Sequence, residues 1–144
     1  MMMTAGTFTP SATTDRVARR MPCRLETVKA ARRLVDETLR GWGLGELTDS
    51  TRLLVSELVT NAVRHTGCTR IVVRLARDER TVRVSVQDFS CELPLLIQAG
   101  LNEERGRGMA LVDSMSDRWG VDLKPFGKVV WAQVTARTRP ARAM

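Results

Sequence analysis

The feature of this chain that most constrains its fold is a change in hydrophobic period. Between residues 24 and 64 the apolar side chains recur at helical spacing, whereas between residues 71 and 86 they occupy alternate positions. A period of about 3.6 residues places apolar groups on one side of a helix, and a period of two places them on one face of a strand. The chain therefore has to pack helices against a sheet.

The predicted elements follow one another in the order helix, helix, two strands, loop, helix, two strands. Helices are predicted at residues 24–40, about 48–64 and 109–116, and strands at 71–75, 82–87, 119–123 and 129–135, with a short edge strand near 13–20. Turn residues between the paired strands favour hairpins. This order predicts an α+β fold, a two-layer sandwich with three helices on one face of a mixed, mainly antiparallel sheet.

The length of 144 residues favours one domain, expected at residues 15–136 between a disordered leader at 1–14 and a basic flexible tail at 137–144. Three cysteines without a CxxC pair argue for a reducing cytoplasm and against a disulfide framework or a zinc site. The apolar runs are too short to span a bilayer, and the N-terminus does not resemble a secretory signal. We therefore expect a cytoplasmic protein that does not enter membranes.

The net charge of +7 is concentrated at one end of the chain, since residues 124–144 contain five basic residues and no acid. The chain has no tyrosine, and its few aromatic residues are not interleaved with basic ones. A single-strand binding surface combines basic and aromatic side chains along one groove. Direct nucleic-acid binding is therefore not expected.

Glu57 and Asn61 lie one turn apart at the border of the apolar stripe on the second predicted helix. That stripe consists of Leu54, Val55, Leu58, Val59 and Ala62. Arg52 and Ser56 fall mostly on the opposite side, where solvent is expected. A carboxylate and a carboxamide at the border suit a cavity that holds water, a cation or a ligand. The alternative is a solvated surface pair that contributes a few tenths of a kcal/mol.

Further residues downstream suit nucleotide binding. Asp88, at the end of a strand, can accept a hydrogen bond from an exocyclic amine, and Gly106 and Gly108 at a helix start allow backbone amides to approach phosphate. Arg105 and Arg107 add charge-assisted hydrogen bonds to the same phosphates. Each feature also has a plain structural explanation, because an aspartate can cap a turn and glycines can shape a loop.

Asn61 offers Mg²⁺ a neutral oxygen, and Glu57 is close enough to orient or deprotonate a nucleophile aimed at a γ-phosphate. No GxxxxGK[ST] segment is present, so a P-loop does not hold the phosphates.

Taken together, these segments resemble the motifs of the GHKL ATPases. Glu57–His65 looks like the N-box, and Asp88–Ser90 stands at the adenine-binding aspartate motif. Further along the chain, Arg105–Val112 looks like the second glycine box, and Gly127–Trp131 resembles the final strand motif. The resemblance covers roughly residues 24–135, and within the superfamily it is nearest to the small anti-sigma-factor serine kinases of bacteria. It implies a Bergerat-type α/β sandwich.

The resemblance implies a role for each matching residue. Glu57 would be the general base, Asn61 the magnesium ligand, and Asp88 the residue that reads the adenine amine. The implied cofactors are ATP and Mg²⁺. Kinases of this branch bind a sigma factor and phosphorylate a serine on an antagonist protein, and they commonly form homodimers.

Within the glycine box, the cofactor-binding residues that the resemblance implies are Arg105, Gly106, Arg107, Gly108 and Met109. Gly106 and Gly108 would flank the phosphates, with Arg105 in a lid nearby.

This chain departs from the family pattern at two positions. Ser90 and Cys91 stand where the aspartate motif usually continues to a glycine, and Lys128-Val129 follow Gly127 where a threonine is usual. The lost hydroxyl predicts weaker hydrogen bonding around the base and lower ATP affinity.

Two other functions remain open from sequence. One is a regulatory module that keeps the fold and ATP binding without kinase activity. The other is an acetyltransferase, because residues 105–110 also fit an R-x-x-G-x-G/A pyrophosphate motif, although residues 91–104 do not look like the strand that such a motif follows.

Overall fold

The computed structural model describes residues 8–10, 15–67, 69–89 and 104–137. Within these residues there are three α-helices, α1 (Thr27–Trp42), α2 (Thr48–Thr66) and α3 (Glu104–Met115), and a short 3₁₀ turn at Gly45–Leu47 joins α1 to α2. The five described strands are β1 (Arg16–Pro22), β2 (Arg70–Asp78), β3 (Thr81–Asp88), β4 (Arg118–Lys124) and β5 (Gly127–Thr135). The predicted order of elements is confirmed, including the edge strand β1.

The strands form one sheet in the order β1-β2-β3-β5-β4, and all four described pairings are antiparallel. The mixed sheet of the prediction is therefore antiparallel wherever the structure describes it. Alternate residues of the central strands point towards the helices and are buried, for example Ile71, Val73 and Leu75 on β2. The α+β sandwich predicted from the periodicity is confirmed.

Helix α2 is the central helix of the helical layer, because it contacts α1 and α3 as well as strands β3 and β5. Its stripe is fully buried, with Leu54, Val55, Leu58 and Val59 each at most 1% exposed. Burying a side chain of this kind contributes about 1.5–3 kcal/mol relative to leaving it in water. The core therefore holds α2 in place along most of its length.

The expectation that Ser56 faces solvent is wrong. Ser56 is 5% exposed, and its hydroxyl accepts a hydrogen bond from Arg32 Nε at 2.7 Å and donates one to the Arg52 carbonyl at 2.7 Å. Helix α1 packs on this side of α2, which a helical wheel of α2 alone does not reveal. Arg52 is itself within 3.5 Å of Asp36 on α1.

Part of the predicted leader lies against the outer face of the sheet, opposite the helices. The Thr9 amide donates a hydrogen bond to Asp78 Oδ2 at 2.8 Å. The guanidinium carbon of Arg83 lies 4.8 Å from the centroid of the Phe8 ring and 4.1 Å from that of the Trp131 ring. Burial lowers the pKa of the Arg83 guanidinium, and nearby Asp122 opposes that shift.

Several predictions fall outside the described residues. These are the remainder of the leader, the tail beyond residue 137, and the loop that contains Ser90 and Cys91. None of the described helices is long and apolar enough to cross a membrane.

Candidate functional site

Helix α2 presents Glu57 and Asn61 one turn apart, as the spacing predicts. Glu57 is half-buried, whereas Asn61 is 8% exposed. The neighbouring residues Leu58 and Ala62 are buried in the core, so both polar side chains lie at the margin of the apolar stripe. The pair is not an ordinary solvated surface pair, because at least the carboxamide is removed from water.

Asn61 contacts the third helix through Met109. The carboxamide Nδ2 lies 3.8 Å from Met109 Sδ, and Met109 is itself 5% exposed. A thioether sulfur is a weak hydrogen-bond acceptor. The contact therefore orients the amide nitrogen of Asn61 towards α3 and leaves its oxygen as the stronger ligand group.

Asp88 and Lys128 form a buried ion pair across the centre of the sheet. The register of β3 and β5 places the two residues opposite each other, and Lys128 Nζ lies 2.8 Å from Asp88 Oδ2. The side chains are 1% and 2% exposed for Lys128 and Asp88, respectively. Both occupy the face of the sheet that packs on the helices, because Val86 and Val130, two residues along each strand, belong to the core.

Lys128 is the functional-site residue that sequence reasoning missed. The sequence motif marks it only as a departure from threonine, and not as a partner for Asp88. A detectable signal was present, because Lys128 occupies an inward position in the series that continues with Val130, Ala132 and Val134. A lysine at a buried strand position needs a carboxylate partner.

Gly127 is in close contact with Asp88. Its φ is +128°, and a Cβ added there would lie 2.2 Å from the Asp88 carbonyl oxygen and 2.9 Å from Asp88 Oδ1. Both the backbone conformation and the lack of space require glycine here. Gly127 therefore allows the start of β5 to approach Asp88 closely.

The glycine box lies slightly differently from its prediction. Helix α3 begins at Glu104, so Gly106 and Gly108 lie within its first turns and not before its first residue. Gly106 lies in the first turn, where amide groups lack intrahelical partners, whereas Gly108 is the fifth residue of the helix and its amide can pair within it. The side chains of Arg105 and Arg107 lie outside what the structure describes, and their contacts with phosphate stay a prediction.

The fold brings the elements that carry these residues together. Helix α2, with Glu57 and Asn61, packs against β3, β5 and α3, which carry Asp88, Lys128 and Met109. The contacts that the structure shows directly are Asn61 with Met109 on α3 and Asp88 with Lys128 between β3 and β5, on elements that both pack against α2. Such a combination can bind a polar ligand with an anionic end and a hydrogen-bonding ring.

Comparisons with known proteins agree with this fold. A family model described as histidine kinase-like ATPase domain matches residues 21–134. The uncharacterized protein SCO4941 of Streptomyces coelicolor is 38% identical over 74 residues, covering 49% of this chain and 70% of that protein. The family match leaves the acetyltransferase alternative without support.

A solved structure shares the fold. The structure of the RsbU and RsbW domains of Rv1364c from Mycobacterium tuberculosis superimposes with a TM-score of 0.65 at 18% identity, over 88% of this chain and 34% of that chain. The present chain thus spans about a third of the protein that it resembles in structure. With its fold and the extent of the family match, the chain belongs to the histidine kinase-like ATPase domain family.

Proposed function

We propose that the protein binds ATP with Mg²⁺ and transfers the γ-phosphate to a serine of a partner protein, in the manner of the anti-sigma-factor serine kinases. The observation that carries this proposal is the position of Glu57 one turn before Asn61 on a helix that packs against the strand of Asp88. Simple nucleotide binding does not require a carboxylate at the position of Glu57. Family membership and the sequence motifs support the same function.

The base end of the nucleotide would lie at Asp88. A carboxylate has about four lone-pair sites, so Asp88 can accept a hydrogen bond from the adenine amine while it remains paired with Lys128. The ammonium group differs from the usual threonine because it can donate hydrogen bonds but cannot accept them. Lys128 would therefore compete with the base for the same carboxylate, which supports a low affinity for ATP.

The donor set at Asn61 is suitable for Mg²⁺ bound together with phosphates. Among the described residues, no three His, Cys, Asp or Glu side chains could hold a metal ion on their own. Magnesium commonly takes one or two protein oxygens and completes its shell with phosphate and water. Asn61, with its nitrogen directed at Met109, would contribute its oxygen, and the bound ion would neutralise charge on the phosphates.

Glu57 would act on the attacking group. Its carboxylate would take the proton from the serine hydroxyl as that oxygen bonds to the γ-phosphorus, and the bond to the leaving ADP oxygen would break. Backbone amides near Gly106 and Gly108, with Arg105 and Arg107, would hold the phosphates in line. The partners would be a sigma factor, its antagonist, or both, in the cytoplasm, and the protein would act as a homodimer.

The test is transfer of labelled phosphate. The protein is incubated with γ-labelled Mg-ATP and candidate antagonist proteins, beside a Glu57→Gln variant that keeps the size of the side chain. We expect labelled serine on the antagonist with the natural protein and none with the Glu57→Gln variant. If both proteins transfer phosphate equally, Glu57 is not the base.

Asn61→Ala separates metal binding from chemistry. We expect this variant to bind ATP with the same weak affinity in the presence of magnesium or of a chelator, because the protein ligand to the metal is gone. ATP binding that still depends on magnesium would contradict the role of Asn61.

A second candidate is an ATP-binding regulatory module with weak or no kinase activity. The buried Lys128–Asp88 pair favours it, because the carboxylate that would read the base already has a cation beside it. Thermal stabilisation by ATP without phosphate transfer would support this module.

A further inference from the structure

A second concave site lies on the outer face of the sheet, away from the helices. It is a pocket of about 320 Å³ beside β1 and β2, and its lining includes Arg20, Arg70 and Arg74 of the outer face together with Arg19, whose register position on the edge strand β1 belongs to the other face. Phe89, the residue that follows Asp88, forms one wall. The nucleotide site proposed above is on the opposite face, so this pocket is separate from it.

Neutral groups hold two of the guanidinium groups in place. Arg74 donates to Gln87 Oε1 at 2.6 Å, and the guanidinium carbon of Arg70 lies 5.7 Å from the centroid of the Phe89 ring. Within the described parts of the chain, none of the four arginines forms an ion pair with a carboxylate. Two of the arginines are therefore oriented by neutral contacts, and the described residues leave the charge of all four unbalanced.

Two other described arginines do have carboxylate partners. Arg77 contacts Asp15 at 2.7 Å, and Arg52 lies 3.5 Å from Asp36. Arg83, also on the outer face, is held between two aromatic rings. Guanidinium groups that line one cavity attract an anion together, because each adds to the positive potential inside it. What sets this pocket apart is that three arginines of one sheet face, Arg20, Arg70 and Arg74, line the same cavity with no carboxylate among its lining residues, which suits an anionic ligand.

We propose that the pocket binds the carboxylates of an acidic segment of a partner protein. The planar guanidinium forms paired hydrogen bonds with a carboxylate, which suits several arginines around one cavity. Small apolar residues, Ala18 and Val72, line the same pocket and leave space for the aliphatic stem of a glutamate. The volume lies at the lower end of the range for ligand pockets and exceeds what a single carboxylate fills.

Nucleic acid fits this pocket less well. Base stacking needs an open aromatic face, whereas Arg70 already lies over the ring of Phe89. The backbone amides of β2 are committed to ladders with β1 and β3, so they do not form the amide cradle that often binds a free phosphate. The charge and the shape therefore favour side-chain carboxylates.

The experiment measures binding of an acetylated, amidated hexaglutamate peptide to the full-length protein by isothermal titration calorimetry. The test variant is Arg70→Gln/Arg74→Gln. The control is Arg33→Gln/Arg40→Gln, which removes the same net charge from exposed positions on α1. We expect at least a tenfold loss of affinity in the test variant and a change of about twofold or less in the control. The hexaglutamine analogue is expected not to bind.

A lysine variant and the thermal unfolding of all variants complete the experiment. Arg70→Lys/Arg74→Lys keeps the charge but loses the planar fork, and should bind the peptide with intermediate affinity. The thermal unfolding temperature of all three variants should be close to that of the natural protein, because the substituted arginines are exposed.

Equal losses in the pocket and control variants would show that only net charge attracts the peptide, and would overturn the proposal. Tighter binding of inorganic phosphate or of a single-stranded oligonucleotide, lost in Arg70→Gln/Arg74→Gln, would also overturn it and assign the pocket to phosphates. These outcomes do not depend on ATP binding, which is tested separately at Glu57 and Asn61.

Discussion

Replacing Lys128 with methionine removes the cation that faces the Asp88 carboxylate inside the helix–sheet interface. The two charged atoms are 2.8 Å apart, and the side chains are 1% and 2% exposed for Lys128 and Asp88. Removing one partner of a buried pair leaves the other charge unpaired, which costs about 3–5 kcal/mol. Lys128→Met should therefore lower the free energy of unfolding by about that amount.

The double variant Asp88→Asn/Lys128→Met should recover most of this loss, because no unpaired charge remains. Urea unfolding followed by circular dichroism measures Lys128→Met, Asp88→Asn, the double variant and the natural protein. The double-mutant cycle should give a coupling of roughly 2 kcal/mol or more. A loss below about 1 kcal/mol for Lys128→Met, or simple additivity of the two single changes, would refute the buried-pair reasoning.

The same position tests the proposed competition for ATP. Lys128→Thr restores the residue usual in the family and frees the Asp88 carboxylate from the ammonium group. We expect ATP to bind about tenfold more tightly, which corresponds to about 1.4 kcal/mol and to the gain of one hydrogen bond to a charged group. Asp88→Asn is the control and should bind ATP poorly with either residue at 128. Weaker ATP binding by Lys128→Thr would mean that Lys128 itself holds the nucleotide.

Two other changes follow from the packing. Gly127→Ala should lower the free energy of unfolding by at least about 2 kcal/mol, because its Cβ would lie 2.2 Å from the Asp88 carbonyl oxygen and its φ is positive. The control is Gly41→Ala in helix α1, where an added Cβ meets nothing within 4 Å. This variant should raise the free energy of unfolding by about 0.5–1 kcal/mol. Urea unfolding compares them, and a neutral Gly127→Ala would contradict the close contact. Arg83→Met loses the cation–π contact with Trp131 at 4.1 Å and the hydrogen bond from Arg83 Nε to the buried Gln133 Oε1 at 2.8 Å, and should cost about 2 kcal/mol. Burial lowers the pKa of Arg83, yet the guanidinium stays charged in both folded and unfolded states from about pH 5 to about pH 9, so this loss should not vary with pH in that range.

Local periodicity was sufficient to predict most of the fold. The alternation at residues 71–75 and 82–87 identified the central hairpin, because side chains on one face of a strand repeat every second residue. Even the edge strand, expected near residues 13–20, is present as β1 at Arg16–Pro22. These features depend on neighbours in sequence, which a single chain displays directly.

Features that depend on neighbours in space were harder to predict. Ser56 was expected in solvent because the pattern of α2 does not show that α1 covers its other side. The start of α3 at Glu104 was missed because glycines at 106 and 108 disfavour a helix locally, and tertiary contacts decide where it begins. The Lys128–Asp88 pair joins residues forty positions apart, so only the register of β3 with β5 reveals it.

The central position of helix α2 has a consequence for the exchange of backbone hydrogens. Because α2 contacts α1, α3 and two strands, its middle turns can open to water only when the whole domain opens. Amides around Leu58 and Asn61 should then be among the slowest to exchange in the protein, with protection that approaches the global free energy of unfolding. Glu57 and Asn61 would thus be held by the most persistent part of the fold, and a ligand that binds there would meet groups whose backbone is already ordered.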